Sequence, residues 1–172
     1  MRRFGRKGAK MSSSKGNVFL LEDALSEFGA DTVRMFLVGS AEPWQDFDWR
    51  NDLVSSTKKQ IERFWNTIQE GKGAEGSCEI DAWLESRLQR RIESTTAALE
   101  SFQTRQALQE AFFGVEADLK WYRRRLPEGV TGGDVLRDLC HTWVRLLAPF
   151  IPFTCEALWR DLGEEGMVSF AP

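Results

Sequence analysis

The sequence predicts a mainly α protein: an up-down bundle of amphipathic helices, preceded by a glycine-rich basic loop and a connector of short helices. Three observations predict it. After residue 50, apolar residues recur at steps of three and four along successive long stretches, the period of one helix face. Short polar turns rich in glycine separate the stretches, among them EGKGAEGS at 70–77 and PEGVTGG at 127–133. No alternating apolar–polar run in that region competes for a strand. At 172 residues, 42% hydrophobic and 28% charged, the chain has ordinary globular composition and enough length for one packed domain with a smaller appendage.

The elements follow in order. Residues 1–21 read as a basic loop running into an apolar segment at 18–21. One or two helical turns come next, at 22–28, stopped by Gly29. Asp31 is placed as the N-cap of a second short helix carrying Val33, Met35, Phe36 and Leu37. From 39 to 52 the pattern breaks, with Trp44 and Trp49 set among acids. An ordered connector is expected there, because burying each large side chain contributes roughly 1.5–3 kcal/mol. After Asp52 a first long helix carries Val54, Ile61, Phe64 and Ile68 on one stripe and ends at Gly71. Asp81 is expected to cap the second, with the stripe Leu84, Leu88, Ile92, Thr95, Leu99 and Phe102. The third presents Leu108, Phe112, Val115, Leu119, Tyr122 and Leu126, at steps of 4, 3, 4, 3 and 4. Asp134 is expected to cap a fourth, carrying Leu136, Leu139, Trp143, Leu146 and Leu147. Pro149 and Pro152 kink or end it, and TCEALWRDLG forms a last short helix closed by Gly163. A boundary after residue 52 divides loop and connector (1–52) from bundle (53–172).

The net charge of −3 is unevenly spread. Residues 1–16 hold Arg2, Arg3, Arg6, Lys7, Lys10 and Lys15 and no acid, a charge of +6 that leaves −9 for the remainder. A basic arm on an acidic body points to phosphate as the arm's partner. Cys78, Cys140 and Cys155 are odd in number and widely spaced, which argues against a disulfide framework or zinc knuckle and suits a reducing compartment. They read as small hydrophobes. His141 is the only histidine, so a His-based metal site or triad is nearly excluded, and it reads as structural. No apolar run is long enough to span a bilayer, and the N-terminus lacks the apolar region of a secretory signal. The expectation is a soluble, cytoplasmic protein with no metal site.

The stretch GAKMSSSKGNVF, residues 8–19, concentrates the chemistry. By composition it fits a flexible basic tail. An S-x-x-K nucleophile formed by Ser12 and Lys15 needs companion S-D-N and K-T-G elements, and neither occurs. A Walker A loop is also absent. A phosphate clamp accounts for all its residue types: glycines admit an anion to the backbone, serines donate hydrogen bonds, and lysines supply charge.

KMSSSKGNV followed by LEDALSEFGADTVRMFL resembles the KMSKS signature of class I aminoacyl-tRNA synthetases and the segment after it. DFDWR (46–50), RFWN (63–66), TRQALQEAFFGVEADLKWYRRR (104–125) and LAPFIPFTCEALW (147–159) extend the resemblance over nearly the whole chain, most closely to leucyl-tRNA synthetases of archaeal/eukaryal type. Valyl, isoleucyl and methionyl synthetases share this architecture. The resemblance implies an anticodon-binding helical bundle after a loop that closes over ATP, with magnesium, during leucine activation. It implies Lys10, Met11, Ser12, Ser13, Ser14 and Lys15 as the ATP-binding loop, with Lys10 and Lys15 as its catalytic charges. Ser13 stands where the family has its second lysine, and Lys15 is the candidate replacement. The family's H-I-G-H element, nucleotide-binding unit and editing insertion are missing from this sequence, so it looks like a piece of a synthetase. Alone it is expected to bind no ATP and to be inactive; a free-standing tRNA-binding module is the alternative.

Two basic groups lie in the bundle: Lys58, Lys59 and Arg63, and Lys120, Arg123, Arg124 and Arg125. By composition they are solvated helix faces, the second also favoured by the negative end of its helix. The resemblance makes them candidate contacts to the phosphates of leucine tRNA, with no role for DNA or membrane. Tyr122 falls on the apolar stripe and is expected in the core, and Trp83, Trp143 and Trp159 are expected at core or helix contacts.

Overall fold

Eight α-helices form within the described residues, which are 3–4, 20–42, 44 and 47–171 of the computed structural model. The whole 10–15 segment, with the proposed ATP-loop residues, lies outside them. Helices α1 (Leu21–Phe28) and α2 (Ala30–Ser40) turn on Gly29, whose φ of +83° glycine adopts without a Cβ penalty. Strands β1 (Arg3–Phe4) and β2 (Phe47–Asp48) make a two-residue parallel pair. Helices α3 (Asn51–Lys72) and α4 (Asp81–Glu100) follow. Next comes a rod of three pieces: α5 (Thr104–Leu108), a π-helical turn (Gln109–Gly114) and α6 (Val115–Arg123). The chain closes with α7 (Gly133–Leu147), α8 (Pro152–Asp161) and a 3-10 turn at Val168–Phe170. Pro152 sits at the first position of α8, where its missing N–H costs no helical bond.

The third predicted stripe is buried as expected, from Leu108 through Phe112, Val115 and Leu119 to Tyr122. Phe64, Phe112 and Trp143 meet at its centre, with Phe64 and Trp143 edge to face at 4.9 Å. The π turn belongs to this packing: Trp143 Nε1 donates to the Ala111 carbonyl within it at 2.8 Å, giving a buried indole N–H its acceptor. A smaller core of Ala24, Phe28, Val33, Phe36, Trp49 and Val54 lies under the connector. Trp49 is buried there against Phe36, so that half of the connector is ordered as expected, whereas Trp44 is exposed.

The structure corrects several details. The second stripe loses only its last residue: Leu84 and Thr95 are buried, Leu88, Ile92 and Leu99 are half-buried, and Phe102 is exposed with φ +56°. Phe102 takes the left-handed closing position of α4, with Gln103 N donating back to Ala98 O, which turns its side chain out of the stripe. Gly71 does not end α3; it is buried inside it, and any Cβ there would collide with Cys140 Sγ of α7. Cys78 is only half-buried, unlike Cys140 and Cys155.

None of the three acids placed as N-caps caps its own helix. The cap positions are Gly29, Ile80 and Gly132, and each aspartate sits in the first turn. Its charge is still favoured there by the helix dipole, which leaves the carboxylate free for other partners. Asp134 pairs with Arg137. Asp31 reaches across to α8 and accepts from Thr154 N and Oγ1, both at 2.6 Å, while Arg34 donates to Pro149 O and Phe150 O. The far end of α2 repeats the exchange: Arg105 donates to Gly39 O, and Glu42 accepts from the amides of Arg105 and Gln106. Helix α2 is thereby clamped at both ends to α5 and α8.

Asp81 accepts from Cys78 N at 2.9 Å and from the Tyr122 hydroxyl at 2.6 Å. Burial alone would raise its pKa, but the Tyr122 hydroxyl and the Cys78 donors outweigh it and hold the carboxyl below 3.8. A depressed carboxylate contributes stability that is present above its unfolded value and is lost as pH falls through its folded value. Tyr122→Phe is therefore expected to cost about 1–2 kcal/mol at pH 7. In urea titrations across pH, that deficit should narrow as pH drops below 3.8; an unchanged deficit in acid would refute the assignment.

Candidate nucleic-acid interface

The bundle's contacts run α3 to α7, α7 to α4 and α4 to α6, so consecutive α3 and α4 lie diagonally and α3 faces α6. These two do not pack closely. Between them lies a groove of roughly 840 Å³, floored by Trp143, Leu119 and Phe113. Its α3 wall presents Arg63, Asn66, Thr67 and Glu70, at steps of 3, 1 and 3 on one helix face. Its α6 wall presents Glu116 and Lys120, with Arg123 and Arg124 at the helix end. Arg63 bridges to Glu116 at 3.4 Å and Arg123 to Glu70 at 3.1 Å, so long side chains span the gap. Lys120 and Arg124 have no carboxylate partner among the described residues. The α6 terminus adds its own dipole, which favours the cations gathered there.

Four of the sequence-predicted residues thus converge: Arg63, Lys120, Arg123 and Arg124. The other three do not join them. Lys58 lies in a separate depression beside Asp31, Phe153 and Thr154. Lys59 is one turn before Arg63 on α3, outside the groove lining. Arg125 lies over the ring of Trp121. Sequence reasoning missed Asn66, Thr67, Glu70 and Glu116, although the helical step from Arg63 to Asn66, Thr67 and Glu70 was available as a signal.

Helix α6 is anchored from behind. Asp118, only 8% exposed, accepts from Arg87 Nε at 3.1 Å and Arg91 Nε at 2.7 Å, and Arg91 also meets Glu110. Donating to the Asp118 carboxylate, more than any other contact, holds the Arg91 guanidinium above its ordinary pKa. Gly114 makes room for this guanidinium, since a Cβ there would fall 2.7 Å from Arg91 Cζ. On the adjacent face Trp83 and Trp121 stack at 3.9 Å, the helix contact expected of Trp83. Tyr122, Trp143 and Trp159 are buried. His141 contacts Glu164 at 3.2 Å and the edge of Trp159. Burial pushes the Cys140 thiol up to about 12 and Cys155 well above its ordinary value, so neither is a nucleophile at neutral pH. Among the described residues, no helix is long and apolar enough to cross a membrane.

Residues 81–172 match the family model described as the anticodon-binding domain of tRNA ligase. The chain belongs to that family. The match begins at α4, so the anticodon-binding domain supplies the α6 wall of the groove, while the α3 wall lies just before the matched residues. Relatives that align over nearly the whole chain include leucine–tRNA ligases of Methanothermobacter thermautotrophicus (46% identical, 96% of this chain) and Pyrococcus horikoshii (48%, 95% of this chain). The chain spans only 19% and 18% of those two proteins. A leucyl-tRNA synthetase of Agrobacterium radiobacter K84, crystallised with tRNA and LeuAMS, superposes on 96% of this chain with a TM-score of 0.78 at 25% identity, using 22% of its own length. A methionyl-tRNA synthetase of Mycobacterium tuberculosis shares the fold, with a TM-score of 0.74 at 16% identity over 95% of this chain and 37% of its own. The anticodon-binding domain here is therefore the mainly helical bundle that the sequence predicts.

Proposed function

We propose that this chain is the region of a leucine–tRNA ligase that carries the ATP-phosphate loop and connector (1–52) and the anticodon-binding bundle (53–172). In this reading the α3–α6 groove holds the phosphate backbone of leucine tRNA. The observation that carries it is the convergence of Arg63, Lys120, Arg123 and Arg124 on one open groove, although the body outside residues 1–16 is acidic. Lys120 and Arg124 meet phosphates without giving up a partner. Arg63 and Arg123 exchange a glutamate for one. Contacts of this kind position an RNA without reading its sequence. In the whole ligase, Lys10, Met11, Ser12, Ser13, Ser14 and Lys15 bind the phosphates of ATP, with magnesium, while leucine is activated in the cytoplasm. Lys15 supplies the charge that Ser13 lacks, and the chain alone makes no leucyl-tRNA.

The test is filter binding of leucine tRNA to the chain across salt concentrations. The double variant Lys120→Ala/Arg124→Ala is expected to bind several-fold more weakly at low salt. The slope of log K against log salt should fall by about two, one for each phosphate contact removed. A double variant that keeps the parent's slope would remove the groove from the interface.

A further inference from the structure

We propose that Arg125, laid on the indole of Trp121, is the docking plate for an unpaired nucleobase of an RNA strand whose phosphates lie in the adjacent groove. The proposal rests on the reading of that groove as a phosphate track. Trp83 of α4 and Trp121 of α6 stack with ring centres 3.9 Å apart and planes 32° apart. Arg125 Cζ lies 3.6 Å from the centre of the Trp121 ring. Two groups this close to one ring centre cannot share a face, so Trp83 covers the inner face of Trp121 and Arg125 the outer. Arg125 Nη1 also donates to the Trp121 carbonyl at 3.0 Å, which fixes the guanidinium on the ring. The Arg87 guanidinium, tied to Asp118 at 3.1 Å, lies 5.9 Å from the Trp83 ring centre. The result is a stack, Trp83, Trp121, Arg125, backed by the bundle at its inner end and open at its outer end.

The outer plate has the chemistry of a base-stacking site. A guanidinium held at contact distance on an aromatic ring offers its other flat side to a π surface, and RNA-binding proteins stack splayed bases on arginine planes. Unlike Arg63, Arg87, Arg91, Arg123 and Arg137, Arg125 has no carboxylate partner among the described residues. Trp121 remains 38% exposed although both its faces are covered. The plate borders the groove: Ala117 and Arg124, four residues before Trp121 and three after it and so its neighbours on the helix surface, both line the groove, while Trp121 and Arg125 lie just outside it. A strand with phosphates on Lys120 and Arg124 has its bases beside Arg125. Every base has a flat π face, so such a contact tolerates any sequence, matching a groove that holds phosphates alone.

The experiment compares two probes on the chain, a short oligoadenylate strand and an abasic ribose-phosphate strand of equal length, by fluorescence anisotropy. The readout is the ratio of their dissociation constants, which isolates the contribution of the bases. For the parent, oligoadenylate is expected to bind about fivefold more tightly than the abasic strand, the lower end of single-base stacking. Arg125→Lys keeps the charge but loses the planar fork. It should bring the ratio close to one and leave abasic binding within about twofold of the parent. Trp121→Ala, which removes the ring beneath the plate, should do the same. A parent ratio near one, or an Arg125→Lys variant that keeps the parent's ratio, overturns the plate while leaving the groove in place. Failure of both strands to bind the parent overturns the plate and the groove reading together.

Discussion

Gly133→Ala is expected to cost on the order of 3–5 kcal/mol, a large share of the ~5–15 kcal/mol by which a domain is ordinarily stable. Gly133 opens α7 at φ +42°, a left-handed conformation that charges any L side chain a penalty. A Cβ there would also be driven into the carbonyl oxygen of Gly76, a backbone atom that cannot rotate away. Gly76 belongs to the loop between α3 and α4, and that loop is fastened to the α6–α7 loop by Thr131 N donating to Glu75 O at 3.0 Å and Glu75 N donating to Thr131 Oγ1 at 2.7 Å. Relieving the clash requires these loops to separate, and with them the ends of the helices they join. Gly129→Ala is the control. It also has a positive φ, +81°, but no atom lies within 4 Å of its Cβ position, so only the strain of about 1–2 kcal/mol applies. Urea denaturation should show a midpoint for Gly133→Ala far below that of Gly129→Ala, with the slope m unchanged. Equal midpoints would mean that the two loops yield freely.

The second large effect is expected at Asp118. Asp118→Asn leaves Arg87 and Arg91 without the carboxylate that joins them, and Arg91 keeps only Glu110. Breaking a buried pair by removing one partner typically costs about 3–5 kcal/mol. The lower end applies here, because the side chains of Arg87 and Arg91 are 29% and 19% exposed and can recruit water. Removing the exposed Asp48 partner of Arg50, at 4.0 Å, is expected to change stability by less than about 1 kcal/mol. The comparison is a measurement of both variants by chemical denaturation. Asp118→Asn should also loosen α6 against α4, and with it the stack of Trp83 on Trp121, so its near-UV circular dichroism should weaken before unfolding. A stable Asp118→Asn variant with the parent's aromatic signal would show that α6 is held by apolar packing alone.

Much of this protein was determined by the sequence itself, where information is local and periodic. The run from Leu108 to Tyr122 could bury its stripe only as a helix, and it did so even though a π turn interrupts the regular hydrogen bonding. Gly29 and the glycine-rich turns marked their breaks because the backbone conformations there exclude side chains. The chemistry of the KMSSSKGN segment was legible as residue types. The basic clusters were visible too, but as two patches without a relation between them.

Only the tertiary structure decided which charged groups work together. Asp31, Asp81 and Asp134 carry the pattern of N-caps, yet Asp31 serves α8 and Asp81 serves Tyr122, because a carboxylate in a first turn satisfies its own helix electrostatically while bonding elsewhere. Phe102 fitted the apolar spacing but was turned into solvent by the helix end it closes. Arg63, Arg123, Arg124 and Lys120 share a groove because α3 stands opposite α6, and Arg125 leaves it because Trp121 offers its ring. Periodicity fixes the face of a helix on which a side chain lies; which helix that face meets is set by how the apolar stripes pack together, and no single stripe contains that choice.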